Sequence, residues 1–157
     1  ITIVFYNECK VFSTPTDNYV KEMFNDTIFL ITKENTLIPR WVVDAGKYKL
    51  EEGGRYRLQD PRNNLFKEKN AAQINVVGNS KDKLYLTANL NGNSYLISYD
   101  DKEGKVESVK LPYPGHDFDF KEGNTFVPRF TSEDGRYLIG YEVQENDENP
   151  VIILAER

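Results

Sequence analysis

One histidine, one cysteine, one methionine and one tryptophan are all that this 157-residue chain holds of those four types. A lone Cys9 forms no internal disulfide and no multi-cysteine zinc site. A lone His116 leaves Ser/His/Asp chemistry without local support, and no Gly-x-Ser-x-Gly elbow is present. No stretch approaches the ~20 apolar residues of a membrane helix. The formal net charge is −5 and no run of Lys or Arg makes a basic stripe, which disfavours sequence-independent nucleic-acid binding. Confident helical periodicity is missing as well. The chain opens ITIVFY with neither an initiator Met nor signal-peptide architecture, so the expectation is a mature fragment or the back part of a longer protein.

What is present favours strands. Aromatics reach 13%, with 10 Tyr and 9 Phe, and such residues fit a pleated, half-buried surface. Hydrophobic residues at 39% and charged residues at 29% describe a folded chain long enough to bury a core. The recurring unit is an alternating apolar run, a turn of Gly, Asn, Asp or Lys, and a second run. Ile1 to Tyr6 reads as a strand, followed by the polar stretch STPTDNY. DTIFLIT, KENT and LIPRWVVDAGK then read as a hairpin, with Ile28, Leu30, Leu37, Trp41 and Val43 pointing inward. Between 74 and 111 four strands are expected, at 74–79, 83–90, 94–99 and 105–111. The stretches Gly78-Asn79-Ser80 and Gly92-Asn93-Ser94 serve as hairpin turns. On the second of these strands Leu84, Leu86, Ala88 and Leu90 share a face opposite Tyr85, Thr87 and Asn89. A four-stranded meander of this length has the size of one propeller blade.

The end of the chain echoes it: SEDGRYLIGYE against SKDKLYLTANL, with FVPRFTS before and PVIILAER after. The resulting expectation is an all-β chain of antiparallel four-stranded-meander blades, in one partial domain. Its blade-like units cover 1–48, 72–111 and 113–157, around an irregular insert at 49–71 that has room for a short helix between Arg62 and Lys69.

Three stretches then carry a resemblance: NDTIFLI with LIPRWVVDAGKYKL, SYLISYDDKEGKVESV, and SEDGRYLIGYE with ENDENPVIILAER. They resemble the C-terminal half of a six-bladed β-propeller family, predicted lipoproteins of Bacteroides and related gut bacteria. Its motifs N-D-T-I-Y-x-I, V-x-D-F-G-K-Y and E-N-D-N-P-V match Asn25 to Ile31, Val42 to Tyr48 and Glu145 to Val151. Ala45 stands where the second motif has an aromatic. The resemblance implies about three blades of a ring that needs roughly 250 to 350 residues. It also implies a periplasmic or cell-surface setting, lipid-anchored through a signal outside the given chain, although a lone cysteine equally fits a cytoplasm. Half a ring has two open flanks, so pairing with a second copy or with N-terminal blades is expected.

Two clusters are candidate ligand sites. In PGHDFDF the alternation puts His116 and Phe118 on one face and Asp117 and Asp119 on the other, the wrong geometry for a local three-ligand zinc site. Asp117 and Asp119 together suit a hard cation given further oxygens, or the segment is a polar connection between blades packed through Phe118 and Phe120. In GGRYRLQDPR, the residues Arg55, Tyr56, Arg57 and Arg62 suit carboxylates or sugar acids by bidentate bonds and stacking; the plainer reading is a solvated loop. No cofactor and no resident metal are expected. Cys9 is read as inert packing in preference to a dyad with His116, and Trp41 as core. The function these readings favour is a non-enzymatic binding or scaffolding module for a saccharide, peptide or protein. The alternative is a glycan-acting hydrolase or lyase whose axial site is shared with missing blades.

Overall fold

The computed structural model describes residues 9–22, 25–50, 71–80, 82–111, 128–142 and 151–156. They form eleven strands in three antiparallel sheets, an all-β fold of meander blades. The first sheet holds β1 (Cys9–Ser13), β2 (Asn18–Glu22), β3 (Thr27–Ile31) and β4 (Leu37–Val42) in sequential order, followed by a 3-10 turn at Gly46–Tyr48. The second runs β5 (Gln73–Ser80), β6 (Lys83–Leu90), β7 (Asn93–Asp100) and β8 (Lys105–Lys110). The third has β9 (Phe130–Thr131), β10 (Tyr137–Glu142) and β11 (Val151–Glu156). The expected strand at Ile1 to Tyr6 and the helix between Arg62 and Lys69 lie outside the described residues.

Local chemistry accounts for the second sheet closely. Leu90 pairs with Asn93 across the two-residue turn Asn91-Gly92, where both φ values are positive (52° and 74°). That is the twist-compatible hairpin turn, which Asn-Gly adopts at little cost. The turn is therefore one residue earlier than Gly92-Asn93-Ser94, and Asn93 and Ser94 belong to β7. Gly78-Asn79-Ser80 is not a turn either, because β5 continues through Ser80. A Cβ on Gly78 would come within 2.1 Å of Thr131 Oγ1, so glycine sits here to admit the third sheet.

The first sheet contains a hairpin that its sequence conceals. β1 and β2 pair across Ser13–Asn18, where Thr14 N–H donates to the Asp17 carbonyl at 2.8 Å and Thr14 Oγ1 accepts from Asp17 N–H at 3.0 Å. The polar stretch STPTDNY is the turn itself plus the start of β2. Leu37 is also placed differently from expectation: it is 55% exposed. Ile28 pairs with Trp41, but Phe29 pairs with Pro39, so Arg40 is an extra residue in β4. This bulge reverses the alternation beyond it, keeping Trp41 inward and turning Leu37 outward with its partner Ile31.

The core lies between the first two sheets. Phe12, Tyr19 and Ile28 meet Val76, Leu84 and Leu86, with Leu30, Trp41, Val43, Ile74, Ile97 and Tyr99 packed around them. Phe12 stacks on Tyr19 with centroids 5.2 Å apart, and Trp41 lies 5.0 Å beyond Tyr19. On β6, Leu84, Leu86 and Ala88 of the expected apolar face are buried and Leu90 is half-buried, while Tyr85 on the opposite face is buried as well. The second sheet is thus covered on both sides along its inner strands. The first strands of the sheets adjoin in series, β1 against β5 and β5 against β9.

Candidate functional site

The six residues singled out as ligand-binding, His116, Asp117, Asp119, Arg55, Tyr56 and Arg57, all lie outside the described residues. Only the ends of their segments are placed. In a four-stranded meander the first and last strands run oppositely, so the last ends where the first begins. Tyr48 and Ala72 stand at one such junction, joined by Ala72 N–H donating to the Tyr48 carbonyl at 2.8 Å. Leu111 and Pro128, both fully buried, stand at the next. Cys9 is not packed in a core: it is exposed, on the outward face of β1 opposite Glu22.

The opposite ends of the strands carry a cleft of about 400 Å³ between the second and third sheets. The turns β5–β6, β7–β8 and β9–β10 line it with Asp82, Lys83, Asp100, Lys102, Asp134 and Arg136 among others. Its charges largely satisfy one another. Lys102 Nζ is 2.7 Å from Asp82 Oδ2, Lys83 Nζ is 3.8 Å from Asp100 Oδ2, and Arg136 is 3.5 Å from Glu156. Asp100 accepts the Glu103 and Lys102 backbone N–H groups, and these bonds, Glu103's foremost, hold its carboxyl below the ordinary range. Asp134 is held down in the same way, first by the Ser132 hydroxyl at 2.6 Å and then by Arg136 N–H at 3.0 Å. Carboxylates stabilised as anions are poor general acids at neutral pH. Among the described residues no group of three or more His, Cys, Asp or Glu is placed to hold a metal ion.

A second cluster lies along the first strands of the sheets. Lys10 of β1 donates from Nζ to the Arg129 carbonyl at 3.0 Å and to the Val77 carbonyl at 3.3 Å, and sits 5.0 Å from the centre of the Phe130 ring. One side chain thereby ties all three sheets together. Lys21, the cross-strand partner of Lys10, is buried and donates to the Glu22 and Ile74 carbonyls at 3.0 and 3.2 Å. Burial pushes both ammonium groups below the ordinary lysine range; the Arg129 charge adds to this at Lys10, and Asp26 opposes it at Lys21. Among the described residues no carboxylate lies within ion-pair distance of Lys10, Lys21 or Arg129. No motif announces this cluster, since Lys10 and Arg129 are 119 residues apart. The readable signal is an anomaly: in CKVFS and NYVKE a lysine shares the inward face with Phe12 or Tyr19.

A sequence profile described as a domain of unknown function, DUF4934, matches residues 2–156, nearly the entire chain. The chain belongs to the DUF4934 family. Neither curated proteins nor solved structures gave a match. Family membership therefore covers all three sheets described above without attaching a ligand or reaction to them.

Proposed function

We propose that this chain is a non-enzymatic binding or scaffolding module, part of a β-propeller whose remaining blades come from a second copy or from further blades. The observation that supports it most is the contrast between the middle sheet and its flanks. Val11, Val20, Phe29 and Pro39 are mutual partners across all four strands of the first sheet, on the face turned away from the second. Val11 is 61% exposed there, and Val42 on the same face 69%. The third sheet repeats this with Phe130, Ile139 and Leu154 in one row and Tyr141 with Ile152 in another. Ile152 is 68% exposed and Leu154 59%. Contiguous apolar sheet faces of this kind are surfaces made to be covered. In a propeller each would receive a neighbouring blade, as the second sheet receives the first.

The ligand would be a saccharide, peptide or protein, taken near the inner strands or on the connections that carry His116 and Arg55, and the setting the cell envelope. Asp100 and Asp134, whose carboxyls are held below the ordinary range, are poorly suited to act as general acids in the cleft. Sedimentation velocity tests the ring: the isolated chain should run as a dimer or larger species, or be poorly soluble. A stable monomer at 18.2 kDa, with no concentration dependence, would count against it.

A further inference from the structure

The free faces of the two flanking sheets are the two halves of one kind of junction. At the junction made within the chain, the first sheet presents Phe12, Tyr19 and Leu30, partners in a row across its first three strands. The second sheet receives them with Val76, Leu86 and Ile97, a row across the same three strand positions. The free face of the third sheet carries a row of the presenting kind. It is Phe130, Ile139 and Leu154, again with Phe on the first strand and Leu on the third. The free face of the first sheet carries Val11, Val20 and Phe29, at the strand positions of the receiving row. The order runs one way along the chain. The first sheet covers one face of the second, and the third covers the other, where Gly78 and its partner Tyr85 lie. A receiving face is therefore left over at the start of the series and a presenting face at its end.

We propose that these two faces meet each other, the third sheet of one copy of this chain packing on the first sheet of a second copy. Phe130, Ile139 and Leu154 of one copy then lie against Val11, Val20 and Phe29 of the other. This rests on the ring reading above and names the partner, a second copy joined head to tail. Unlike faces that meet in this way make a heterologous contact, which repeats until it closes. A closed pair of copies makes the contact twice and leaves neither face open to water. No other partner is required, since one chain carries both halves of the junction.

Val11→Asp and Leu154→Asp place a charge on the receiving and the presenting face in turn. Both side chains are exposed in the single chain, so the variants fold, which circular dichroism checks. By sedimentation velocity each should weaken self-association at least about tenfold, because the junction would bury an unpaired carboxylate. Mixed in equal amounts, the two variants should associate more tightly than either does alone, since one junction of the mixed pair keeps both parental faces. Pairing of like faces predicts the reverse: one variant associates as the parent does, and mixing recovers nothing. Cys9 gives a second reading, because it shares the receiving face with Val11 and is exposed in the single chain. Its alkylation should slow as the parent is concentrated and stay fast in Leu154→Asp, a change on a different sheet. A dimer that Leu154→Asp leaves as tight as the parent's would overturn this junction while the binding reading stands. Alkylation of Cys9 that ignores concentration in a parent that dimerises would overturn it too. A parent that stays monomeric at every concentration would remove the second copy and count against the ring itself.

Discussion

Between the first and second sheets, Phe12, Tyr19 and Ile28 press against Val76, Leu84 and Leu86. Between the second and third, Gly78 lies under Thr131, whose hydroxyl donates to the Asn79 carbonyl at 3.4 Å. The same kind of junction is made once by large apolar side chains and once by removing a side chain altogether. The first draws its strength from area withdrawn from water, at ~25 cal/mol per Å², and needs bulk. The second draws it from close backbone approach, and bulk is what it excludes. Sheets in this chain therefore stack by two rules, and a substitution tolerated at one junction should fail at the other.

The largest effect is expected at the apolar junction. Ile28 is fully buried, and Ile28→Ala should cost about 2–5 kcal/mol, read from the midpoint shift in urea unfolding. A loss below ~1 kcal/mol would mean that the first sheet does not rest on the second. A smaller cost, of the opposite origin, is expected at the tight junction. Gly78→Ala should destabilise by about 1–3 kcal/mol, and Thr131→Gly in the same chain should restore much of it. Additive losses in that double variant would break the comparison, since the collision would then not be with Thr131.

The smallest effect separates the lysines that span the junctions from ordinary surface ones. Burial lowers the folded-state pKa of Lys21 below its unfolded 10.5, so between the two values the unfolded chain binds more protons. Stability contributed by this group therefore rises with pH as 10.5 is approached from below. Relative to Lys21→Met, the parent should gain stability over that window, measured by denaturant unfolding at a series of pH values. Parallel curves would show that Lys21 keeps its full charge at no cost.

The legibility of the fold in the sequence varied with how local its causes are. The second sheet was readable because Asn91-Gly92 and the alternation Leu84, Leu86, Ala88 act within a few residues. The hairpin β1–β2 was not, because each strand brings one buried aromatic flanked by Lys10 or Lys21, and its turn resembles any polar loop. Leu37 was misplaced for a subtler reason: one extra residue, Arg40, inverts a period of two that otherwise looks unbroken. Gly78 carried a turn-like signature whose cause lies in Thr131, far along the chain. The Lys10–Arg129 cluster has the same character, arising from convergence of first strands and from no spacing in the sequence. His116 and Arg55 were conspicuous in the sequence but lie outside the described residues, so that reading stands as a proposal.

The bond from Ala72 N–H to the Tyr48 carbonyl fixes the two ends of the 49–71 span at a shared stem. Closing a longer chain on a fixed stem costs only about 0.6 kcal/mol per doubling of its length. The length of chain between these two ends is therefore a weak determinant of stability. For an engineer, that makes Tyr48 and Ala72 the natural splice points for grafting a new recognition loop.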